Sequence, residues 1–357
     1  MKHISVFARL LALLLLFTLV FSLSACNTET PPSDTTDAAS DSEATTGGGT
    51  SDALYDSTLP IKVTVLNGTT GFGMAKLMNN KANGTAALNY TFDVQADASN
   101  VTKALINGST DIAALPTNAA ATVYNKTNGA VQVLALNTLG VLYVVTRNAL
   151  PENGGIEALR GKTVYCPANN PAIIFSAICE ASGLKVGTDI TIDTSYAEPA
   201  ALRAALVKGD VNLAVLPEPM VTIAQKADTS ISVAIDLTAA WDQKFPAGSL
   251  TQGCVVVRTE FAAAHPKEIA KFLEEYAASI AFMQEKPAEA AEIIVAEGVF
   301  AGAAAVAAAA IPKCNVTFKS GNEMKAALSI FLEALHSINP GSVGGNLPKD
   351  DFYYGAN

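Results

Sequence analysis

A glycine-rich loop, Asn67-Gly-Thr-Thr-Gly-Phe-Gly73, follows the first predicted strand of the chain. Its glycines would let backbone N–H groups approach a small molecule, and the helix predicted next has a partly positive end that suits an anion or a carbonyl. The glycine spacing does not fit dinucleotide or phosphate loops. The alternative is a tight turn with a capping threonine. The ligand contacts predicted here are Asn67, Gly68, Thr69, Thr70 and Phe72.

Small polar residues follow two other predicted strands. Pro116, Thr117 and Asn118 come directly after the strand 111–115, and Thr138 interrupts a long apolar run. Their polar groups could hydrogen-bond a ligand, or they could merely cap a helix. Because the carboxyl ends of parallel strands meet at one sheet edge, we expect all four to line a ligand site.

The second half of the chain offers a matching set. Asn169 and Asn170 stand before a proline at a predicted helix start, and Glu218 stands between two prolines at a strand end. Glutamate is a poor helix cap, so Glu218 is predicted to pair with a cation of the opposite half or to bind an N–H group of a ligand. Tyr196 and Trp241 could stack on a flat ligand, or they could pack in the core.

The sequence contains no pattern typical of catalysis or of metal binding. The three histidines, His3, His265 and His336, stand outside any nucleophile arrangement. No HxxxH pair, calcium loop or paired-cysteine motif is found. We therefore predict that the protein is not an enzyme and that it needs no cofactor and no metal.

Alternating strands and helices position these residues. Apolar runs predict strands at 61–66, 90–95, 111–115 and 131–136. Helical spacing predicts helices at 73–81 and 98–107. The same order returns about a hundred residues later, between 162 and 216. The expected fold class is α/β, with two similar lobes that each contain a mostly parallel sheet flanked by helices.

One stretch shows the repeat directly. The segment 104–117 aligns without a gap on 205–218, and six of the fourteen positions are identical. Both read as helix, glycine, buried strand and proline turn, although any unit of this kind would look similar. We interpret the alignment as an internal duplication.

Two apolar segments, 141–147 and 253–258, both end in arginine and are predicted as strands at the lobe junction. Crossings between the lobes are expected near 147–155 and 240–252. The predicted bounds are 60–147 plus 250–357 for lobe one and 148–249 for lobe two. The tail shows helical spacing from residue 266 onward and is expected to cover lobe one.

The composition limits the class of protein. The 357 residues carry 23 basic and 33 acidic side chains, and half of all residues are hydrophobic. A net charge of −10 argues against a nucleic-acid binder, and the apolar content argues against a largely disordered chain. The longest hydrophobic run, 10–21, is shorter than the roughly 20 residues that span a bilayer as a helix.

The amino terminus has the pattern of an export signal. Lys2 and Arg9 precede the leucine-rich run, and Leu23-Ser-Ala-Cys26 follows it. This tetrapeptide resembles the bacterial lipobox, which implies removal of residues 1–25 and a palmitate-type anchor on Cys26. An ordinary signal peptide with a chance cysteine is the alternative.

Residues 26–59 are predicted to form a disordered linker, because they are acidic and almost free of large apolar side chains. A flexible chain of this length reaches roughly 30 Å, so the body would stay near a membrane. The four later cysteines, at 166, 179, 254 and 314, are predicted to be buried free thiols, although export would permit disulfides.

Three stretches carry a resemblance to a known family: Leu159-Arg-Gly-Lys-Thr-Val164, Ala214-Val-Leu-Pro-Glu-Pro219 and Val256-Val-Arg-Thr-Glu-Phe261. Together with the lipobox, the linker and the duplicated lobes, they make the chain similar to the solute-binding lipoproteins of bacterial ABC importers with the type II two-lobe fold. Within these it resembles the NMT1/THI5-like group of sulfonate, nitrate, taurine and thiamine-precursor binders.

The resemblance implies a protein on the extracytoplasmic face of a bacterial membrane that closes on a small molecule and delivers it to permease and ATPase subunits. Sulfonate, nitrate and pyrimidine-type ligands are implied, and we expect a monomer held to the membrane by its lipid only. No arginine lies in the predicted ligand segments, which favours a neutral or N–H-bearing planar ligand. A lipoprotein sensor or adhesin is the alternative.

Overall fold

The computed structural model describes residues 55–151 and 154–357. The predicted signal peptide, Cys26 and most of the predicted linker lie outside them. The first sheet contains β1 (Pro60–Leu66), β2 (Asn89–Gln95), β3 (Ile112–Pro116), β4 (Val131–Thr138), β10 (Gly253–Arg258) and β11 (Val316–Ser320). The second sheet contains β5 (Leu142–Thr146), β6 (Thr163–Tyr165), β7 (Thr191–Asp193), β8 (Leu213–Pro217) and β9 (Ser232–Asp236).

Helices connect these strands throughout the described residues. The helices that follow strands of the first sheet are α1 (Thr69–Phe72), α2 (Ala75–Ala82), α3 (Ala98–Ile106) and α4 (Thr117–Lys126). Those of the second are α5 (Asn170–Ala181), α6 (Pro199–Lys208), α7 (Met220–Ala227) and α8 (Leu237–Asp242). The tail adds α9 (Thr259–Ala264), α10 (Pro266–Glu285), α11 (Pro287–Ala296), α12 (Ala304–Ala310) and α13 (Gly321–Ile338).

The two sheets repeat one strand order. The first runs β2-β1-β3-β10-β4, with β11 added beside β4, and the second runs β7-β6-β8-β5-β9. In each sheet three parallel strands are followed by one strand that is antiparallel to both of its neighbours. The predicted α/β fold with two similar sheets is therefore confirmed, and both sheets are mixed rather than wholly parallel.

The antiparallel strand inside each sheet comes from the other part of the chain. β5 follows β4 but pairs with β8 and β9, whereas β10 follows the second sheet but pairs with β3 and β4. The placement of Leu142–Thr146 in the first lobe was therefore wrong, and the chain passes between the sheets at 139–141. A strand buried on both faces has the same apolar pattern in either sheet, so the sequence does not reveal its partner.

The arginine at the end of each exchanged strand binds an equivalent position. The backbone N–H of Arg258 donates to the carbonyl of Asp111 at 3.0 Å, and that of Arg147 donates to the carbonyl of Asn212 at 3.0 Å. Residues 111 and 212 are paired in the aligned repeat segments. The Arg258 guanidinium also contacts the Asp111 carboxylate at 2.9 Å, and Arg147 contacts Asp228 at 2.6 Å. The duplication thus extends to the backbone hydrogen bond after each exchanged strand, whereas the two arginines pair with acids at different positions of the repeat.

A glycine ends the repeated helix in both halves. Gly108 follows α3 with φ of +73°, and Gly209 follows α6 with φ of +88°. Side chains rarely adopt this left-handed conformation, which glycine enters without a steric cost. The matched glycines turn the chain directly into β3 and β8.

The tail packs on the first sheet and also reaches the second. α10 and α11 pack against α2, and α13 packs against β4 and β11, so the predicted cover of the first sheet is confirmed. α13 additionally packs against α5, and the ring of its Phe331 lies 5.7 Å from the ring of Trp241 on α8. No helix within 55–151 or 154–357 combines the length and hydropathy of a bilayer span.

Candidate functional site

The predicted glycine-rich loop lies at the carboxyl end of β1 and is tied to its surroundings. The backbone N–H of Gly68 donates to the carbonyl of Val299 at 2.9 Å, and the Asn67 side chain approaches the carbonyl of Gly298 at 3.4 Å. Phe72 is buried and stands edge-on to Phe300 with ring centroids 6.2 Å apart. The loop is thus held as a unit, and Phe72 belongs to the core.

The end of β4 contacts this loop through two polar side chains. The side-chain amide of Asn137 donates to the carbonyl of Thr70 at 3.0 Å, and the Thr138 hydroxyl lies 3.4 Å from the carbonyl of Thr69. Both side chains on β4 are buried. The structure therefore brings Thr69, Thr70 and Thr138 together with Asn137, a polar side chain inside an apolar strand that the sequence analysis did not single out.

The start of α4 contacts the chain segment that enters β10. Thr117 is buried, and its hydroxyl donates to the carbonyl of Thr251 at 2.6 Å. Pro116 is the residue before the helix. Asn118 donates through its amide to the carbonyl of Ser342 at 3.3 Å. Thr251 escaped sequence reasoning because it lies in the second passage between the sheets, which has no regular pattern.

The predicted residues of the second sheet divide into surface and core. Asn169 is exposed with φ of +64°, and Asn170 begins α5. Tyr196 stands edge-on to Tyr165 at 5.9 Å between ring centroids. Trp241 is 0% exposed, stacks on Phe245 at 4.0 Å between centroids, and donates its indole N–H to the Ser249 hydroxyl at 2.8 Å. This indole packs in the core, which was the alternative to ligand stacking.

Glu218 occupies a buried position beyond the end of β8. Only 2% of the residue is exposed, and its carboxylate accepts hydrogen bonds from the Thr222 backbone N–H at 3.1 Å and the Thr222 hydroxyl at 3.0 Å. It thus caps α7, a role that its residue type did not predict. The Lys313 ammonium lies 3.9 Å from its Oε1. Burial raises the pKa of the Glu218 carboxyl, although Thr222 and Lys313 favour its charged form.

Several buried oxygens at this edge have no hydrogen-bond partner within the described part of the protein. They belong to Asn118, Asn170, Thr238 and Thr251. The first three stand at the starts of α4, α5 and α8, which follow β3, β6 and β9, and Thr251 precedes the antiparallel strand β10. All four therefore lie at the carboxyl ends of the parallel strands. Buried polar atoms are normally satisfied by protein or by ordered water, so these four positions can accept hydrogen bonds from water or from a bound molecule.

The charged groups near this edge are few. Arg147 and Arg258 are bound at the opposite ends of the sheets, and Arg160 pairs with Glu157 and Asp189. Within residues 55–151 and 154–357, no three histidine, cysteine, aspartate or glutamate side chains are grouped as metal ligands. The four cysteines of these ranges are free and buried, which confirms that prediction.

The family described as NMT1/THI5 like matches residues 85–290, more than half of the chain. The chain belongs to the NMT1/THI5-like family. No curated protein matches it.

Solved structures show the same fold as this NMT1/THI5-like chain. A structure of an ABC transporter protein from Parabacteroides distasonis is 26% identical with a TM-score of 0.69, covering 84% of this chain and 99% of the other. The periplasmic aliphatic sulphonate binding protein SsuA from Escherichia coli is 16% identical with a TM-score of 0.65, covering 82% and 90%. The alkanesulfonate-binding protein SsuA from Xanthomonas axonopodis pv. citri, bound to MOPS, is 14% identical with a TM-score of 0.59, covering 82% and 96%.

Proposed function

We propose that this NMT1/THI5-like protein captures a small solute between its two sheets and delivers it to the permease of an ABC importer. The family and the fold support this role. The observation that carries it is the set of buried, unpartnered oxygens of Asn118, Asn170, Thr238 and Thr251, drawn from both sheets and placed at the strand ends. Ligands of open α/β sheets bind at this edge.

The exchanged strands support a division into two lobes. Following the pairing of β5 and β10, we assign 60–138 and 253–357 to lobe one and 142–249 to lobe two. The chain passes between the lobes twice, at 139–141 before lobe two and at 250–252 after it. Two such crossings permit a hinge motion, and a solute that contacts both lobes would favour the closed form.

The proposed contacts are the predicted set without its core members. Four predicted residues are buried in contacts within the protein, so we leave them out: Phe72, Thr117, Thr138 and Trp241. We add Thr238 and Thr251 for their unpartnered hydroxyl oxygens. The resulting set is Asn67, Gly68, Thr69, Thr70, Pro116, Asn118, Asn169, Asn170, Tyr196, Thr238 and Thr251. Glu218 is engaged by Thr222 and Lys313 and is not counted among them.

The chemistry of these groups favours a hydrogen-bond donor as solute. The side-chain amide of Asn118 donates to the carbonyl of Ser342. Its remaining Oδ1 can only accept a hydrogen bond. The arginines described above are engaged away from the strand ends, and an anion is usually held by such groups. Among sulfonate, nitrate and pyrimidine-type solutes, we therefore favour a neutral, N–H-bearing planar molecule.

We further propose that the chain is exported, cleaved before Cys26 and anchored by lipid at the outer face of the membrane. The amino-terminal pattern of the sequence supports this location. The chain would act as a monomer that meets permease and ATPase subunits from the membrane surface, without catalysing a reaction itself.

A solute screen tests the proposed function. Thermal unfolding of the purified chain would be measured with pyrimidines, alkanesulfonates and nitrate, together with mass spectrometry of molecules that co-purify. A solute at 100 times its Kd stabilises the folded state by about 2.7 kcal/mol, so we expect a pyrimidine-type compound to raise Tm by several degrees. An Asn118→Leu variant should lose the shift, whereas the exposed control Asn83→Leu should keep it. No shift with any of the three classes would contradict the proposal.

A further inference from the structure

The tail of the first lobe reaches across to the second sheet through residues 304–314, which we call the strap. It consists of α12, a 3-10 turn at Ile311–Lys313 and Cys314. The Tyr143 hydroxyl on β5 donates to the carbonyl of Lys313 at 3.1 Å. The Lys226 ammonium on α7 donates to the carbonyl of Ala305 at 2.8 Å. The strand β5 and the helix α7 of the second lobe thus bind the two ends of the strap.

The third contact of the strap is electrostatic. The Lys313 side chain is 49% exposed, and its ammonium lies 3.9 Å from the Glu218 carboxylate, whose side chain is 0% exposed. The other groups near this carboxylate are Thr222, Tyr143 and Cys314. Within the described residues, Lys313 is the cation paired with Glu218.

Because the Glu218 carboxylate is buried, the stability of this contact depends on the charge of Lys313. Removing a charge from water costs free energy that a nearby opposite charge offsets. Without Lys313, the charge of Glu218 would remain buried with only its two hydrogen bonds from Thr222 as long as the strap covers it. Separation of the strap from the second sheet would then be favoured, because water could reach the carboxylate.

We propose that the strap is a latch between the lobes, and that the Glu218–Lys313 pair sets how firmly it holds them in the absence of solute. The inference rests on the proposed function, since it presumes that the lobes move. A latch of this kind fixes the amount of binding free energy that a solute must supply to complete closure.

The test is made on the solute-free chain by small-angle X-ray scattering at pH 7. The Lys313→Met variant is expected to have a larger radius of gyration than the wild type. The control is Lys286→Met, which removes an ammonium of similar exposure, 53%, directly before α11, where it lies 3.7 Å from Glu289 of that helix. This control pair does not connect the lobes, so the radius should stay at the wild-type value.

A double variant separates the ion pair from other effects of Lys313. In a Glu218→Gln background no buried charge remains, so adding Lys313→Met should leave the radius unchanged. The proposal is overturned if Lys313→Met alone leaves the radius unchanged, or if it enlarges the radius equally in both backgrounds. If Glu218→Gln does not fold, the comparison of Lys313→Met with Lys286→Met decides. Neither result depends on a solute, so failure of the latch is distinguishable from failure of the proposed function.

Discussion

Glu218 is a charged side chain in a place that water barely reaches. Its carboxylate is satisfied locally by Thr222, and among the described residues the ammonium of Lys313 faces it from the other lobe. The sequence predicted this cross-lobe cation as one of two alternatives. It did not predict the capping of α7, because the cap forms through a side chain two residues before the helix rather than at the usual N-cap position.

The raised pKa of Glu218 gives a pH dependence with a definite sign. Burial lifts the folded-state value above the ordinary 4.5, so the folded chain binds more protons than the unfolded chain between these two values. The free energy of unfolding contributed by this group therefore falls as pH rises through the folded-state pKa.

We expect the Glu218→Gln variant to gain stability relative to the wild type as the pH is raised from 4.5 towards 7. Urea unfolding at several pH values measures the difference. The control is Glu289→Gln, which changes an exposed carboxylate on α11, where a surface substitution usually changes stability by no more than about 0.5 kcal/mol. A constant difference between Glu218→Gln and wild type across this range would show that Glu218 titrates normally.

Among the helices and strands, the strongly patterned ones were predictable. The strands β1 to β4 and the helices α3, α6 and α10 fall where apolar spacing places them. β9 was missed because it is an edge strand with partly exposed residues and no apolar alternation. β5 was found, but its partner depends on long-range pairing that no local pattern encodes.

The short helix α8 shows how a local cap supports the interior. The Asp236 carboxylate accepts hydrogen bonds from the backbone N–H groups of Thr238 at 2.8 Å and Ala239 at 3.3 Å. The helix then carries Trp241 into its contacts with Phe245 and Phe331. A cap lost here weakens a helix that joins α13 to the second sheet.

The Asp236→Ala variant should therefore lower the free energy of unfolding by about 1 kcal/mol. Chemical denaturation followed by fluorescence measures it, since Trp241 is the single tryptophan of the chain. Asp210→Ala serves as the control, because Asp210 pairs only with an exposed lysine and surface changes usually stay within about 0.5 kcal/mol. Equal effects of the two substitutions would refute the capping role.

At the scale of the molecule, the internal duplication was visible in the sequence because it preserved helix, glycine, strand and proline at one spacing. It correctly predicted two related sheets and the edge at which polar residues gather. It could not separate ligand contacts from core residues. Phe72 and Trp241 would be aromatic residues near the predicted edge whether they contact a ligand or pack in the core. Only the three-dimensional packing shows that both are buried.

The exchange of β5 and β10 makes the two lobes interdependent. Each lobe completes its sheet with a strand supplied from the other part of the chain, and both passages lie near Gly140. A Cβ atom there would approach the Thr238 hydroxyl to 2.2 Å, so the passage is closely packed. Motion between the lobes must therefore occur as a small rotation about packed segments rather than as a separation of the lobes.

A bound solute is expected to draw the two lobes together. Small-angle scattering, with and without the compound that raises Tm most, tests it directly on the wild type and on the Lys313→Met variant. We predict that the compound lowers the radius of gyration, and that the decrease is larger in the variant because its latch is released. A compound that raises Tm in both proteins while leaving both radii unchanged would contradict the account.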